Sequence, residues 1–360
     1  MATIRRMGRR TAPTNILLCP CHLMMNEHKP TVASDHGTTG KVVRCLFFLS
    51  FVLLSFSYIA AQNLTLRVEA PTVLPSPPLL YIYDQGAAPR CVAPSTKQDS
   101  VFRYATMISS PAYAELRYNR SKGCLPLFLE PSVVRIKLDT GMIQRSTVQG
   151  SQPTSQYRYA LETCNPDNDP ALSYPCLENQ VQNNLGKIWS PYILYNQLVT
   201  LPVGRQMQLY NSFTETATKV YQYRLLSERI HRLQLVNRGS MVPNFCYHDT
   251  LGTELTFQLL LQPKVYHVFC FTDTYCKHCD NVVKELDHAA LRHQSDDHPV
   301  LVHVIDIDRE KEGWDSPLMQ QLAIAYLPQI MVVDPRGIIV RRDLCSWEVD
   351  NMLDSLFLNR

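Results

Sequence analysis

The residues most able to do chemistry are Cys276 and Cys279, which sit in the stretch Asp273-Thr274-Tyr275-Cys276-Lys277-His278-Cys279 between an apolar run and a helical pattern. Thiols at this spacing, on a strand-to-helix turn, close a disulfide inside the first helical turn. A helix N-terminus carries partial positive charge and favours thiolate at Cys276, and Lys277 and His278 add charge of the same sign beside it. Together these features depress a thiol pKa into the roughly 3.5–7.5 range of reactive Cys-x-x-Cys motifs. Thiol-disulfide exchange needs that thiolate, and stabilising it makes the disulfide more oxidising.

A metal reading competes, because Cys276, Cys279, His288 and His293 form C-x2-C-x8-H-x4-H. The middle spacing is short for a zinc finger, and a continuous helix starting at the cysteines carries both histidines away from the thiols. No metal and no cofactor is therefore expected. Cys19-Pro20-Cys21-His22 lacks a second ligand pair and reads as chance.

The elements around the dithiol follow from hydrophobic periodicity. Val265 to Thr272 reads as a strand, and Cys276 to Arg292 as a helix with Val282, Val283, Leu286, Ala289 and Ala290 on its apolar side. Val300 to Ile307 reads as a buried strand. A helix carrying Leu318, Leu322 and Ala325 is expected to run towards Pro328. Gln329 to Val333 and Ile338 to Arg342 form two strands about the turn Asp334-Pro335-Arg336-Gly337, and Trp347 to Leu358 a final helix burying Trp347, Met352, Leu353 and Leu356.

This order of elements, with a strand ending in Cys-x-x-Cys and Leu327-Pro328 ahead of a hairpin, resembles the thioredoxin superfamily over residues 251–360. The Asp-Pro-Arg-Gly-Ile-Ile-Val turn resembles its membrane-associated thiol-disulfide oxidoreductase and redoxin branches more than plain thioredoxin, and His278 before Cys279 resembles protein disulfide isomerase and the bacterial periplasmic oxidase. The resemblance implies an α/β thioredoxin-like domain with a mixed sheet flanked by helices. It implies Cys276 as nucleophile, Cys279 as resolving thiol, and Pro328 as a cis-proline shaping the substrate loop. The expected activity is that of an oxidase or isomerase acting on protein thiols and disulfides. A redox-inactive scaffold in a secreted or anchored interaction protein is the alternative. Tyr275 stands where the family usually has Trp. Cys270 stands where it buries a proton-accepting acid; Asp273 and His267 are stand-ins by proximity, and Cys270 itself reads as a small core residue.

Residues 62–240 differ in character. Short alternating runs at Leu64 to Val68, Leu80 to Tyr83, Val101 to Tyr104, Val133 to Lys137 and Tyr157 to Tyr159 indicate a mostly β region, closed by a helix with Tyr223, Leu226, Ile230 and Leu233. This region would bring substrates or a protein partner. Among its cysteines, Cys91 with Cys124 and Cys164 with Cys176 is the simplest of three pairings. Cys246 and Cys345 either bridge or are buried thiols.

The chain has 360 residues, 45% hydrophobic and 19% charged, enough for two domains. A net charge of +3 argues against a nucleic-acid partner. Its 12 cysteines suit an oxidising compartment. Cys45 to Ala61 is a continuous apolar run preceded by Lys41 and Arg44, so residues 41–61 read as a signal peptide or a signal anchor. Residues 1–40 read as a disordered leader or tail. Met24 and Met25 are alternative starts, and the arginine-rich beginning also suits a mitochondrial presequence. The secretory pathway, lumenal or extracellular, is the expected location. Asn63-Leu64-Thr65 and Asn119-Arg120-Ser121 are glycosylation sequons in keeping with it.

Overall fold

A computed structural model of the chain describes residues 63–84, 88–108, 111–121, 123–164, 170–295 and 297–357. The leader, the apolar run at 45–61 and Cys19-Pro20-Cys21-His22 lie outside these residues. Among the described residues no helix is long and apolar enough to cross a membrane.

Alternation at period two builds the N-terminal part. In β1 (Leu64–Glu69) the residues Leu64, Leu66 and Val68 are fully buried, while Thr65, Arg67 and Glu69 point outward. Leu79–Tyr83 (β2), Arg90–Val92 (β3), Thr96–Gln98 (β4), Val101–Thr106 (β5), Ala112–Arg117 (β6), Leu125–Leu129 (β7), Val133–Lys137 (β8) and Thr147–Gln149 (β9) complete two sheets. One has the order β4-β5-β1-β8-β9, with β1 antiparallel to β5 and parallel to β8; the other has the order β3-β2-β6-β7. Their facing sides share one core that includes Leu66, Leu80, Phe102, Tyr104, Leu127 and Ile136.

β structure in this region stops at Gln149. The expectation of strand at Tyr157-Arg158-Tyr159 is overturned: Gln152–Cys164 is a helix (α1), followed by Pro170–Asn183 (α2), Ser190–Asn196 (α3), Val203–Ser212 (α4), Glu215–Thr218 (α5) and Tyr221–Leu235 (α6). Three residues of Tyr-Arg-Tyr imitate alternation. The longer pattern Thr154, Tyr157, Ala160, Cys164 is helical and is the buried set. The helices cover the outer side of the second sheet, where Tyr83, Tyr113 and Phe128 meet Tyr157, Tyr192 and Leu226. A Cys164–Cys176 disulfide joins α1 to α2. Cys91 is not bonded to Cys124, because Cys91 lies on β3 and Cys124 borders β7, the opposite edges of one sheet. Three strand spacings of about 4.8 Å far exceed the reach of a disulfide.

Beyond α6 come a hairpin, Cys246–His248 (β10) with Glu254–Thr256 (β11), and a single helical turn, Phe257–Leu260 (α7). Then follow Tyr266–Thr272 (β12), Lys277–His293 (α8), Val300–Asp306 (β13), Pro317–Gln321 (α9), Gln329–Val333 (β14), Ile339–Arg342 (β15) and Ser346–Phe357 (α10). The sheet order is β13-β12-β14-β15, with β12 parallel to β13 and antiparallel to β14. Every residue of central β12 is buried, as a strand covered on both faces requires. Val268 and Cys270 pack beneath α8 and α10, while Phe269 and Phe271 face the hairpin and α9.

The β14–β15 turn forms as its residues dictate. Asp334 Oδ1 accepts from the backbone of Arg336 and Ile338, both at 2.9 Å, and Gly337 takes φ +83°, a left-handed value that glycine adopts without strain. Two helices depart from expectation. α9 ends at Gln321, with Ala323 at positive φ, well before Pro328. In α10, Val349, Met352 and Leu353 form the buried stripe, and Trp347 is 65% exposed. Two residues before Val349 is about 200° of helix rotation, off the stripe altogether. Cys246 and Cys345 are both exposed and do not bridge, since β10 packs on one face of the sheet and Cys345 leads into a helix on the other.

Candidate functional site

β12 delivers the chain to the dithiol, and a short loop turns it into α8. Asp273 Oδ1 accepts from Tyr275 N at 2.8 Å, and Thr274 Oγ1 donates to Asp306 Oδ2 at 2.8 Å, which fastens the loop to the end of β13. Cys276 is the residue that caps α8: its Sγ accepts a hydrogen bond from Cys279 N at 3.1 Å. The sulfur thus takes the place of the serine or aspartate oxygen that usually satisfies an exposed helix N–H.

Cys276 and Cys279 form a disulfide. Their surroundings differ. Cys276 is half-buried, whereas Cys279 is 1% exposed within a core that also holds Phe271, Leu318 and Leu327. Tyr275 and Lys277 are exposed and His278 is half-buried beside them. The same first turn carries Asp280, so the local charge is mixed rather than purely basic.

Leu327-Pro328 is a cis peptide bond, and Leu327 shares its apolar cluster with Cys279. The loop ahead of it is held by groups that spacing alone does not reveal. Gln329 Oε1 accepts from Ala325 N at 3.1 Å while Gln329 Nε2 donates to Asp343 Oδ1, and the Tyr326 hydroxyl bonds Asp343. Buried Arg342 donates to Ala323 O at 3.4 Å and to Val236 O at 3.0 Å, linking this loop to the chain just past α6. The Val236 contact spans 106 positions in sequence, so no local pattern signals it.

The stand-ins for the family's buried acid are not brought to the thiols as a group. His267 lies near the start of β12, about 16 Å of strand from Thr272. It belongs to a partly buried chain in which Tyr247 Oη is 2.8 Å from His303 Nδ1, and His303 Nε2 is 2.9 Å from His267 Nδ1. Burial lowers both imidazole pKa values to about 4, so the pair is neutral at pH 7. Asp273 stays near the dithiol, with one oxygen committed to the loop backbone. Cys270 is fully buried, and burial followed by the nearby Asp287 charge pushes its thiol up to about 12. It is a protonated core residue on the α8 side of the sheet.

The histidines of the zinc pattern are dispersed along α8. Cys279 to His288 is about 13 Å of helix rise, His288 is exposed, and His293 Nε2 is 2.9 Å from Asp350 Oδ1.

No protein-family model matches the chain, and no curated protein matches it in sequence. Among solved structures, a thioredoxin-like protein from Bacteroides caccae is 12% identical, with 56% of this chain and 84% of that one covered and a TM-score of 0.37. A thiol-disulfide oxidoreductase from Bacteroides fragilis is 17% identical over 33% of this chain and 100% of its own, with a TM-score of 0.29. A domain of a possible thiol-disulfide isomerase from Cytophaga hutchinsonii is 20% identical over 34% and 94%, also at 0.29. In the chain's own geometry, a β13-β12-β14-β15 sheet, Cys276 capping the helix after β12 and a cis-proline ahead of β14 give its C-terminal part a thioredoxin-like fold.

Proposed function

We propose that this protein is a thiol-disulfide oxidoreductase acting on protein thiols and disulfides through Cys276 and Cys279, in the manner of an oxidase or isomerase. The observation that carries the reading is the asymmetry of the pair: Cys276 is half-buried with its sulfur bonded to a helix N–H, and Cys279 is 1% exposed. That arrangement stabilises a thiolate on Cys276 and keeps the second thiol for the intramolecular step.

In the oxidising direction a client thiolate attacks Cys276 Sγ. A client–Cys276 disulfide forms, the Cys276–Cys279 bond breaks, and Cys279 leaves as thiolate and takes a proton. A second client thiolate then attacks the client sulfur of the mixed disulfide, and Cys276 leaves as thiolate. The client loses two electrons and the dithiol gains them. For isomerisation the reduced Cys276 thiolate attacks a client disulfide and is expelled after the client thiols exchange, with no net electron transfer. Lys277 and His278 add positive charge beside the leaving thiolate, and the Pro328 loop forms the wall against which an extended client segment lies. Cys270 does not accept the proton in this scheme, so solvent or Asp273 serves. Lumenal or extracellular placement belongs to the same proposal and is supported by the Cys164–Cys176 disulfide, which persists in oxidising compartments.

The test is the reduction potential of the Cys276–Cys279 pair together with turnover of a mixed-disulfide substrate, for the parent and for Cys276→Ser. Turnover lost in Cys276→Ser is the expected result. A potential below about −300 mV with no turnover in the parent protein overturns the proposal and leaves a structural disulfide.

A further inference from the structure

The exposed side of the five-stranded sheet carries an arrangement that costs stability and has no role in the dithiol chemistry. Arg67 on β1 is directly opposite Arg103 on β5 and directly opposite Arg135 on β8. Three arginines thus lie in one cross-strand row on three adjacent strands, at about 4.8 Å per strand, or about 10 Å end to end. Arg103 and Arg135 are exposed and Arg67 is partly so. One register step of the same face further along, Lys137 on β8 lies opposite Glu69. Glu69 is the one acid on this face among the described strand positions, and its Oε1 is 2.8 Å from Arg67 Nε. Like charges placed directly opposite one another destabilise a sheet pair. Here two such pairs share a residue, with one carboxylate against four cations.

The rest of the face narrows the occupant. Its other positions are Thr, Gln, Val and Ala, with no aromatic side chain on which a nucleobase could stack. Its large exposed apolar residue is Val133 alone, so nothing there inserts into a bilayer. A flat row of guanidinium forks suits a linear chain of fixed anions, each bonded by two N–H groups. The inner sides of the two sheets and the helical layer stand between this face and the thioredoxin-like domain, so it is free for binding whatever the dithiol does.

We infer that the Arg67–Arg103–Arg135 row is a binding surface for a sulfated polysaccharide, laid across the strands with its sulfate groups on the three guanidiniums. The probe is heparin, used with the full chain and with the triple variant R67Q/R103Q/R135Q. A control variant, R238Q/K284Q/K311Q, removes the same charge from exposed positions elsewhere. Heparin affinity at fixed salt should fall by at least about tenfold in the first variant and change little in the control, since isolated surface charges contribute weakly. The first variant should also unfold at the same temperature as the parent or higher, because its opposed like charges are gone. Cys276→Ser should bind heparin as the parent does. An equal loss in the control variant overturns the assignment, as does undiminished binding of desulfated heparin. Tighter binding of single-stranded DNA or of phosphatidylserine vesicles than of heparin, lost through the same three substitutions, also overturns it in favour of that occupant.

Discussion

Residue by residue, the candidate site works through where two sulfurs sit. Cys276 is half-buried and has a backbone N–H aimed at its sulfur, and Cys279 is buried in a core without a charged neighbour. Cys279→Ser should therefore keep the attack of the Cys276 thiolate on client disulfides and lose the thiol that would resolve the adduct, so mixed disulfides with client proteins accumulate and are recovered by non-reducing electrophoresis under denaturing conditions. Equal amounts of adduct in Cys276→Ser and Cys279→Ser would refute the assigned roles. Buried His267 and half-buried His303 carry a second prediction at this scale. Their folded pKa values, about 4, lie below the ordinary value of 6.5. Between those limits the unfolded chain binds protons that the folded chain does not, so stability is full above pH 6.5 and falls as the pH drops towards 4. Urea midpoints measured across that range should decline, and the decline should flatten when both are replaced (His267→Phe with His303→Leu).

Among elements, the cis-proline loop is tied by side chains to Gln329 of β14 and Arg342 of β15. Arg342→Met keeps the bulk of the side chain and removes the donors to Val236 O and Ala323 O. Leaving buried carbonyls unpaired costs about 1–3 kcal/mol each, so the variant should lose stability on that scale and show a weaker client interaction through the loop. Chemical denaturation and client KM read the two effects separately. The α1–α2 disulfide closes a loop with a sequence separation of 12, and replacing both cysteines with alanine should cost about 3 kcal/mol in urea unfolding. Strand order decides which cysteines can meet: the same region holds Cys91 and Cys124, and opposite sheet edges keep them apart.

For the whole molecule, the helical layer reaches the thioredoxin-like domain through Leu233 and Val236, which lie in that domain's core, through the Arg342 bond to Val236, and through an Arg232–Gln320 hydrogen bond. A chain beginning at residue 221 retains α6 and should fold cooperatively. One beginning at 237 lacks two buried side chains, each worth about 2 kcal/mol or more on removal, and should melt several degrees lower or not at all. Calorimetry of the two fragments decides this, and equal melting temperatures would contradict it.

Sequence by itself determined the C-terminal elements and the dithiol's place among them. The buried strand Tyr266–Thr272 is a near-continuous apolar run, the Asp334–Gly337 turn has the side chain and glycine its backbone needs, and Cys276 stands where a helix must begin, whereas Val300–Asp306, expected to be buried, is an edge strand in which only Val300 and Ile305 are buried. These are local requirements, satisfied by neighbours a few residues away. The same locality misread Tyr157-Arg158-Tyr159, since three residues fit either period, and Trp347, which lies off a stripe defined by its whole helix. Only the tertiary structure decided that Cys279 is the more buried of the two thiols and that Arg342 reaches back to Val236. Burial and long-range pairing are properties of what packs across a sheet, and no window of sequence contains both sides of that contact. The dithiol therefore belongs to both levels: its spacing is written in the chain, and the asymmetry on which its proposed chemistry rests is made by the fold.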